Sequence, residues 1–229
     1  MQRLRLATLA ATLVVFCGAV ARSGEKAVMP FNGKDLAGWK LRGKDDKNKW
    51  KVGRAFVTDK GTLVFENDGN QMVNTAGGGI DIYTEQEFAD CRVEVEVMVP
   101  KGSNSGIYLM GRYEIQILDS FGVKKLGMGD MGAIYSVAIP KLNACKKAGE
   151  WQKYVIDFQA PRFVDKKKTA NAIFKKVVLN DKVIHENAEV LKGATGGSLM
   201  NNEVAVGPIM FQGDHGTVAF RNLKITPKK

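Results

Sequence analysis

Across residues 30–226 the chain reads as a succession of period-two alternations. In CRVEVEVMV (91–99), Cys91, Val93, Val95, Val97 and Val99 fall on one side of an extended strand, and Arg92, Glu94, Glu96 and Met98 on the other. RYEIQILDS (112–120) behaves the same way: Tyr113, Ile115 and Ile117 oppose Arg112, Glu114 and Gln116, with Asp119 just beyond. The same pattern predicts strands over 106–110, 112–118, 152–159, 176–179, 204–211 and 217–225, and a hairpin from 51–56 and 62–65. Turn chemistry punctuates these runs at Pro100-Lys101-Gly102-Ser103-Asn104, Asn180-Asp181 and Gly213-Asp214-His215-Gly216. No stretch holds a helical period for more than three turns, so the pattern predicts an all-β protein, a two-sheet jelly-roll sandwich.

In a sandwich the apolar faces of both sheets meet, and the alternate residues face outward. If the two strands were neighbours, Arg92, Glu94, Glu96, Arg112, Glu114 and Gln116 would share one outer surface. Two readings of that surface stay open. It is a solvated face laced with cross-strand ion pairs, or a polar trough whose planar groups grip the hydroxyls of a sugar.

The N-terminus has another character. Arg3 and Arg5 precede an apolar run over 6–20, and Ala19-Val20-Ala21 supplies a small-x-small cleavage site. This is the layout of a secretory signal peptide over 1–21, followed by one domain over 22–229. The expectation is an exported protein, periplasmic or extracellular, with no stable membrane insertion after cleavage. Bulky Phe16 before Cys17 argues against a lipoprotein anchor. Cys91 and Cys145 then remain, as a disulfide or as free thiols, and no CxxC or zinc spacing occurs. The formal charge is +10, from 34 Lys and Arg against 24 Asp and Glu. The lysines sit in short runs such as 166–168 without aromatic interleaving, which argues against a nucleic-acid partner.

The segments FNGKDLAGW (31–39), EFADCRVEVEVMV (87–99), SNSGIYLMGRYEIQILDS (103–120), GAIYSVAIP (132–140), GEWQKYVIDF (149–158), VVLNDKVIHENAEV (177–190) and GPIMFQGDHGTVAFRNLKI (207–225) resemble the successive motifs of the 3-keto-disaccharide hydrolase family. The resemblance covers nearly the whole chain after the leader, in order. It implies a concanavalin-type jelly roll, exported by glycan-degrading bacteria, that cleaves glycosides oxidised at C3; relatives include hydrolases and lyases. Two departures stand out. Asp181 replaces the glycine of an Asn-Gly turn, and the QDHG motif is loosened to Gln212-Gly213-Asp214-His215-Gly216.

A 3-keto group makes the C2 proton acidic. A base removes it, the C1 leaving group departs by β-elimination, and water addition completes net hydrolysis. Such a site needs a base, a stabiliser for the oxyanion and an acid for the leaving oxygen. The candidates are Glu114 and Asp119 as base or acid, and His215 as proton carrier. Arg112 and Arg221 would hold the oxyanion, and Gln116, Asn104 and Gln212 the substrate hydroxyls. No cofactor is assigned, although His215 leaves a divalent metal open. Each residue has a plainer reading as well: His215 as a local hydrogen-bonding group, Asp119 as a cap, Arg221 as a brace for a carboxylate, Trp39 and Trp151 as core aromatics. Glu114, mid-strand on the polar face, is the leading candidate.

Two rival functions remain. EIQILD (114–119) resembles the E-x-D-x-x-E stretch of retaining jelly-roll (laminarinase-like) glycosidases, but Gln116 and Asp119 stand where that motif has acid and glutamate. Strict alternation also sends Asp119 to the face opposite Glu114. A non-catalytic carbohydrate-binding module is the other alternative, with the same oligosaccharide or glycoside partner.

Overall fold

The structure, a computed structural model, describes residues 26–228; the expected leader over 1–21 lies outside the described residues. Fourteen strands follow in order: β1 (Trp39–Leu41), β2 (Trp50–Val57), β3 (Leu63–Asn74), β4 (Ile82–Phe88), β5 (Cys91–Met98), β6 (Asn104–Leu109), β7 (Tyr113–Leu118), β8 (Trp151–Gln159), β9 (Arg162–Val164), β10 (Lys167–Ala170), β11 (Ile173–Leu179), β12 (Lys182–Glu189), β13 (Gly207–Phe211) and β14 (Val218–Pro227). Five of them form one sheet in the order β1-β4-β13-β6-β7, and seven form the other in the order β12-β11-β8-β5-β14-β3-β2. β9 and β10 make a separate hairpin. The two large sheets pack as a jelly-roll sandwich, the predicted fold class.

The alternations explain the core. Val93, Val95 and Val97 from β5 and Tyr113, Ile115 and Ile117 from β7 are all buried in one apolar cluster. Phe211 of β13 stacks on Phe220 of β14 with ring centroids 3.9 Å apart, which ties the sheets together. Such a pair adds about 0.5–1.5 kcal/mol beyond the area it buries. The predicted hairpin forms, with Lys51 opposite Val73 and Phe56 opposite Val64. Asn180 and Asp181 both take positive φ (48° and 63°), so Asp181 serves the tight β11–β12 turn as a glycine would. The β4 strand has no clean alternation, because buried Thr84 sits at a register shift where its hydroxyl accepts the Ile209 N–H at 3.0 Å.

Strand order corrects one expectation. β5 and β7 belong to different sheets, so their polar faces point away from each other. The outer face of β5 is an ion-pair lattice with β8 and β14: Arg221–Glu96 at 2.6 Å, Lys224–Glu94 at 3.1 Å and Arg92–Asp157 at 3.3 Å. These pairs are partly exposed, and each contributes at most about 1 kcal/mol. Trp151 lies on that outer face too, with the Arg221 guanidinium 4.0 Å above its ring, whereas Trp39 is in the core.

The outer face of β7 has the opposite fate. Glu114 and Gln116 are only 2% and 4% exposed. The chain over 132–135 returns along the free edge of β7, where Gly132 N–H donates to Gln116 O at 2.8 Å and Tyr135 N–H to Glu114 O at 3.1 Å. Thr195 closes the strand's start, its hydroxyl accepting the Glu114 N–H at 3.0 Å. A covered edge satisfies the backbone and encloses the polar face with it. Among the described residues Cys91 and Cys145 are free: burial pushes the Cys91 thiol up to about 12 and the Cys145 thiol up to about 11.

Candidate functional site

The β6–β7 register builds the site. Tyr108 lies directly opposite Glu114, and Gly106 opposite Gln116, so these side chains share one face with Asn104. Gln212 follows β13, its N–H donating to Gly106 O at 3.0 Å, and brings the next turn with His215 alongside. With Tyr135, Gly196 and Gly197 as walls, these residues enclose a cleft of about 140 Å³. Gly106 makes room for the carboxyl of Glu114: a Cβ there would stand 2.4 Å from Glu114 Oε1.

Burial raises the Glu114 carboxyl to about 8; the negative charges of Asp81 and Asp214 push the same way, and a hydrogen bond with Tyr108 opposes them. Glu114 therefore carries its proton at neutral pH. The Tyr108 hydroxyl donates to Gly196 O at 3.0 Å, and its oxygen accepts from Gln212 Nε2 at 3.4 Å. Burial also pushes the phenol well above its ordinary value, so it stays neutral. Gln116 Nε2 donates to Asn104 Oδ1 at 2.9 Å, joining the two amides on the cleft floor.

His215 stands half exposed, with Nδ1 2.5 Å from Asp214 Oδ1. When Nδ1 carries the proton shared with Asp214, Nε2 is left as an acceptor. The turn is anchored from below. Asn74 Nδ2 donates to Gly213 O at 2.9 Å and Gly216 O at 2.7 Å, and Gly213 N–H donates to Asp81 Oδ1 at 3.0 Å. Arg42 completes the frame, donating to Asp81 Oδ2 at 3.0 Å, Gly197 O at 2.6 Å and Ser198 O at 2.8 Å. Asp81 and Arg42 thus tie the His215 turn to the opposite wall.

Of the residues predicted from sequence, the structure brings Glu114, His215, Gln116, Asn104 and Gln212 together. Three lie elsewhere. Asp119 falls past the end of β7 and accepts the Gly102 N–H at 3.1 Å, capping the turn between β5 and β6. Arg112 belongs to the β6–β7 turn, where Met110 and Gly111 have positive φ (55° and 63°), so strand alternation does not extend to it. Its guanidinium instead donates to Asn202 O at 2.5 Å and Met110 O at 2.9 Å. Arg221 is on the other sheet, paired with Glu96. Tyr108 escaped the sequence reading although period two places it with Asn104. Asp81 and Arg42 carried no local signal. Among the described residues no three His, Cys, Asp or Glu side chains converge as metal ligands. Of the side chains lining the cleft, Glu114 and His215 are the ones with a carboxyl or an imidazole to offer a cation.

The sequence profile of the 3-keto-alpha-glucoside-1,2-lyase-like domain matches residues 26–226. A protein of Parabacteroides distasonis, provisionally designated a glycosyl hydrolase, is 28% identical, covering 88% of this chain and 84% of its own, with a TM-score of 0.68. Two others from the same organism, with the same designation, share the fold. One is 17% identical with a TM-score of 0.62, covering 89% of this chain and 94% of its own. The second is 21% identical with a TM-score of 0.58, covering 89% of this chain and 100% of its own. No curated protein matches the sequence.

Proposed function

Because the chain belongs to the 3-keto-alpha-glucoside-1,2-lyase-like domain family, a carbohydrate-acting group of glycosyl hydrolase or lyase type, we propose that it cleaves the glycosidic bond of 3-keto-glycosides by β-elimination. One observation carries this reading. A buried carboxyl that keeps its proton up to about pH 8 shares a small cleft with an imidazole held by a carboxylate. That is a proton donor beside an imidazole whose Nε2 is placed to accept one.

His215 Nε2 takes the C2 proton, and the electron pair moves into a C2–C3 enediolate. The amide donors of Gln212 and Asn104 serve the oxygen at C3. The C1–O bond then breaks, and the leaving oxygen takes the proton of Glu114, releasing an alcohol and a 3-keto-2-hydroxyglycal. Water adding across that double bond gives net hydrolysis. Paired-carboxylate hydrolysis of unoxidised sugars needs a second carboxyl about 5–5.5 Å from the first. Asp119, its candidate, is occupied at the Gly102 turn, which favours the elimination route. Export through the leader over 1–21 is part of the proposal, and fractionation of cells tests it.

The decisive assay compares a 3-keto-glucoside with its parent glucoside and follows the C2 hydrogen by NMR in deuterated water. Cleavage of the oxidised sugar alone is expected, with exchange at C2 that His215→Ala abolishes. Cleavage of the parent at equal rate, or no cleavage of either with saccharide still bound, overturns the reading in favour of a glycosidase or a binding module.

A further inference from the structure

The cleft ends at a tight turn over 134–138, in which the Val137 and Ala138 N–H groups both return to Ile134 O, at 2.8 and 3.0 Å. Tyr135 faces the cleft. Beyond the same turn Ser136 and Val137 line a second depression of about 210 Å³ with Met128, Glu189, Leu191 and Lys192. Two stretches of chain contribute residues to both depressions. The first wall is the chain over 128–137, held together by Ser136 N–H donating to Met128 O at 3.2 Å. The second runs from Leu191 at the groove to Gly196 and Gly197 at the cleft. Tyr135 on the cleft is followed directly in the chain by Ser136 and Val137 on the groove, with consecutive Cα atoms about 3.8 Å apart.

The chemistry changes sharply between the two. The cleft offers a carboxyl, amides and an imidazole, whereas the groove offers Met128, Val137 and Leu191, with Met128 48% and Leu191 71% exposed. Seven of the ten large apolar side chains exposed among the described residues fall within 121–142 and 191–206, the two segments that supply Tyr135, Gly196 and Gly197 to the cleft. Exposed apolar surface concentrated beside a polar site marks a ligand surface. The groove lining includes no Trp, Tyr or Phe for a sugar ring to stack on, and no amide pair for its hydroxyls. A thioether and two branched side chains suit a flat apolar ring. Glu189 and Lys192 at its edge suit polar substituents on that ring.

Resting on the keto-glycoside reading, we propose that the groove is the leaving-group subsite and that it favours an aryl aglycone over a small alkyl one. The test uses the full-length protein with phenyl and methyl 3-keto-glucosides. Leu191→Ser and Met128→Ser are exposed changes that leave the cleft residues in place. Together they should lower kcat/KM on the phenyl glycoside about tenfold, through KM, and leave the methyl glycoside within about twofold. Comparing each variant with wild type on the same substrate cancels the difference in leaving-group ability. An unchanged phenyl/methyl ratio overturns the subsite while the keto-glycoside reading stands. If wild type cleaves neither glycoside, that reading fails, and the groove is judged by the Met128 ε-methyl NMR signal on adding unoxidised phenyl glucoside. A saturable shift then supports an aryl site, and its absence overturns it.

Discussion

Replacing Gly106 with alanine should disable the cleft while leaving the sandwich folded. The backbone at Gly106 is not in the left-handed region, so alanine meets no torsional objection. What it meets is the Glu114 carboxyl, with the new Cβ 2.4 Å from Oε1 and 3.1 Å from Cδ, and Tyr108 Cε2 at 2.9 Å. Relief to an ordinary contact of about 3.5 Å moves the carboxyl by roughly 1 Å. A misplacement of that size costs about a hundredfold in rate, or about 2.7 kcal/mol of transition-state stabilisation. The overpacking itself costs about 1–3 kcal/mol of stability. Steady-state kinetics on a 3-keto-glucoside, with a thermal melt of the same sample, separates the two effects. A folded Gly106→Ala protein with activity within threefold of wild type would refute the idea that chemistry passes through Glu114 as placed here.

Four further outcomes follow from the same geometry. Acid catalysis by Glu114 requires activity to fall as pH rises through about 8, and Glu114→Gln should remove that limb along with at least a hundredfold in kcat. The same proton affects stability: between about 4.5 and 8 the native state holds a proton that the unfolded chain has released, so stability falls as pH rises through that window. The fall is on the order of 5 kcal/mol at most, and chemical denaturation of Glu114→Gln should show a flatter profile. Asp81→Asn removes a charge that raises the Glu114 carboxyl and loosens Arg42 from it, so the pH limb should move down and kcat should fall more than KM rises. Arg221→Ala should leave kcat/KM within twofold and cost about 1 kcal/mol or less by thermal melt, because its carboxylate and Trp151 lie on the other sheet.

The alternations of β5 and β7 look alike, and both apolar halves reach the core as period two demands. Their polar halves also look alike in sequence, a mix of carboxylate with arginine or amide. In the structure one is ordinary ion-pair cover and the other is buried. Arg112 illustrates the limit at a single position: it keeps the spacing of Glu114 and Gln116 but precedes the strand, in a turn that breaks the alternation. Tyr108, by contrast, was legible, being two residues past Gly106 on the face of Asn104.

Local pattern therefore determined the strands that alternate cleanly, such as β5, β7 and β8, with the fold class and the turn chemistry, since these depend on residues a few positions apart; β1, β4, β9, β10 and β12 were not read from it. The motif series added Gln212 and His215. Only the tertiary structure decided that the β7 face lines a buried cleft. Its burial comes from 132–135 and Thr195, and its charged surroundings come from Asp81 and Asp214, with Arg42 joining Asp81 to the carbonyl of Gly197. Burial and field set the proton on Glu114, and both are sums over residues distant in sequence, which no short-range pattern encodes.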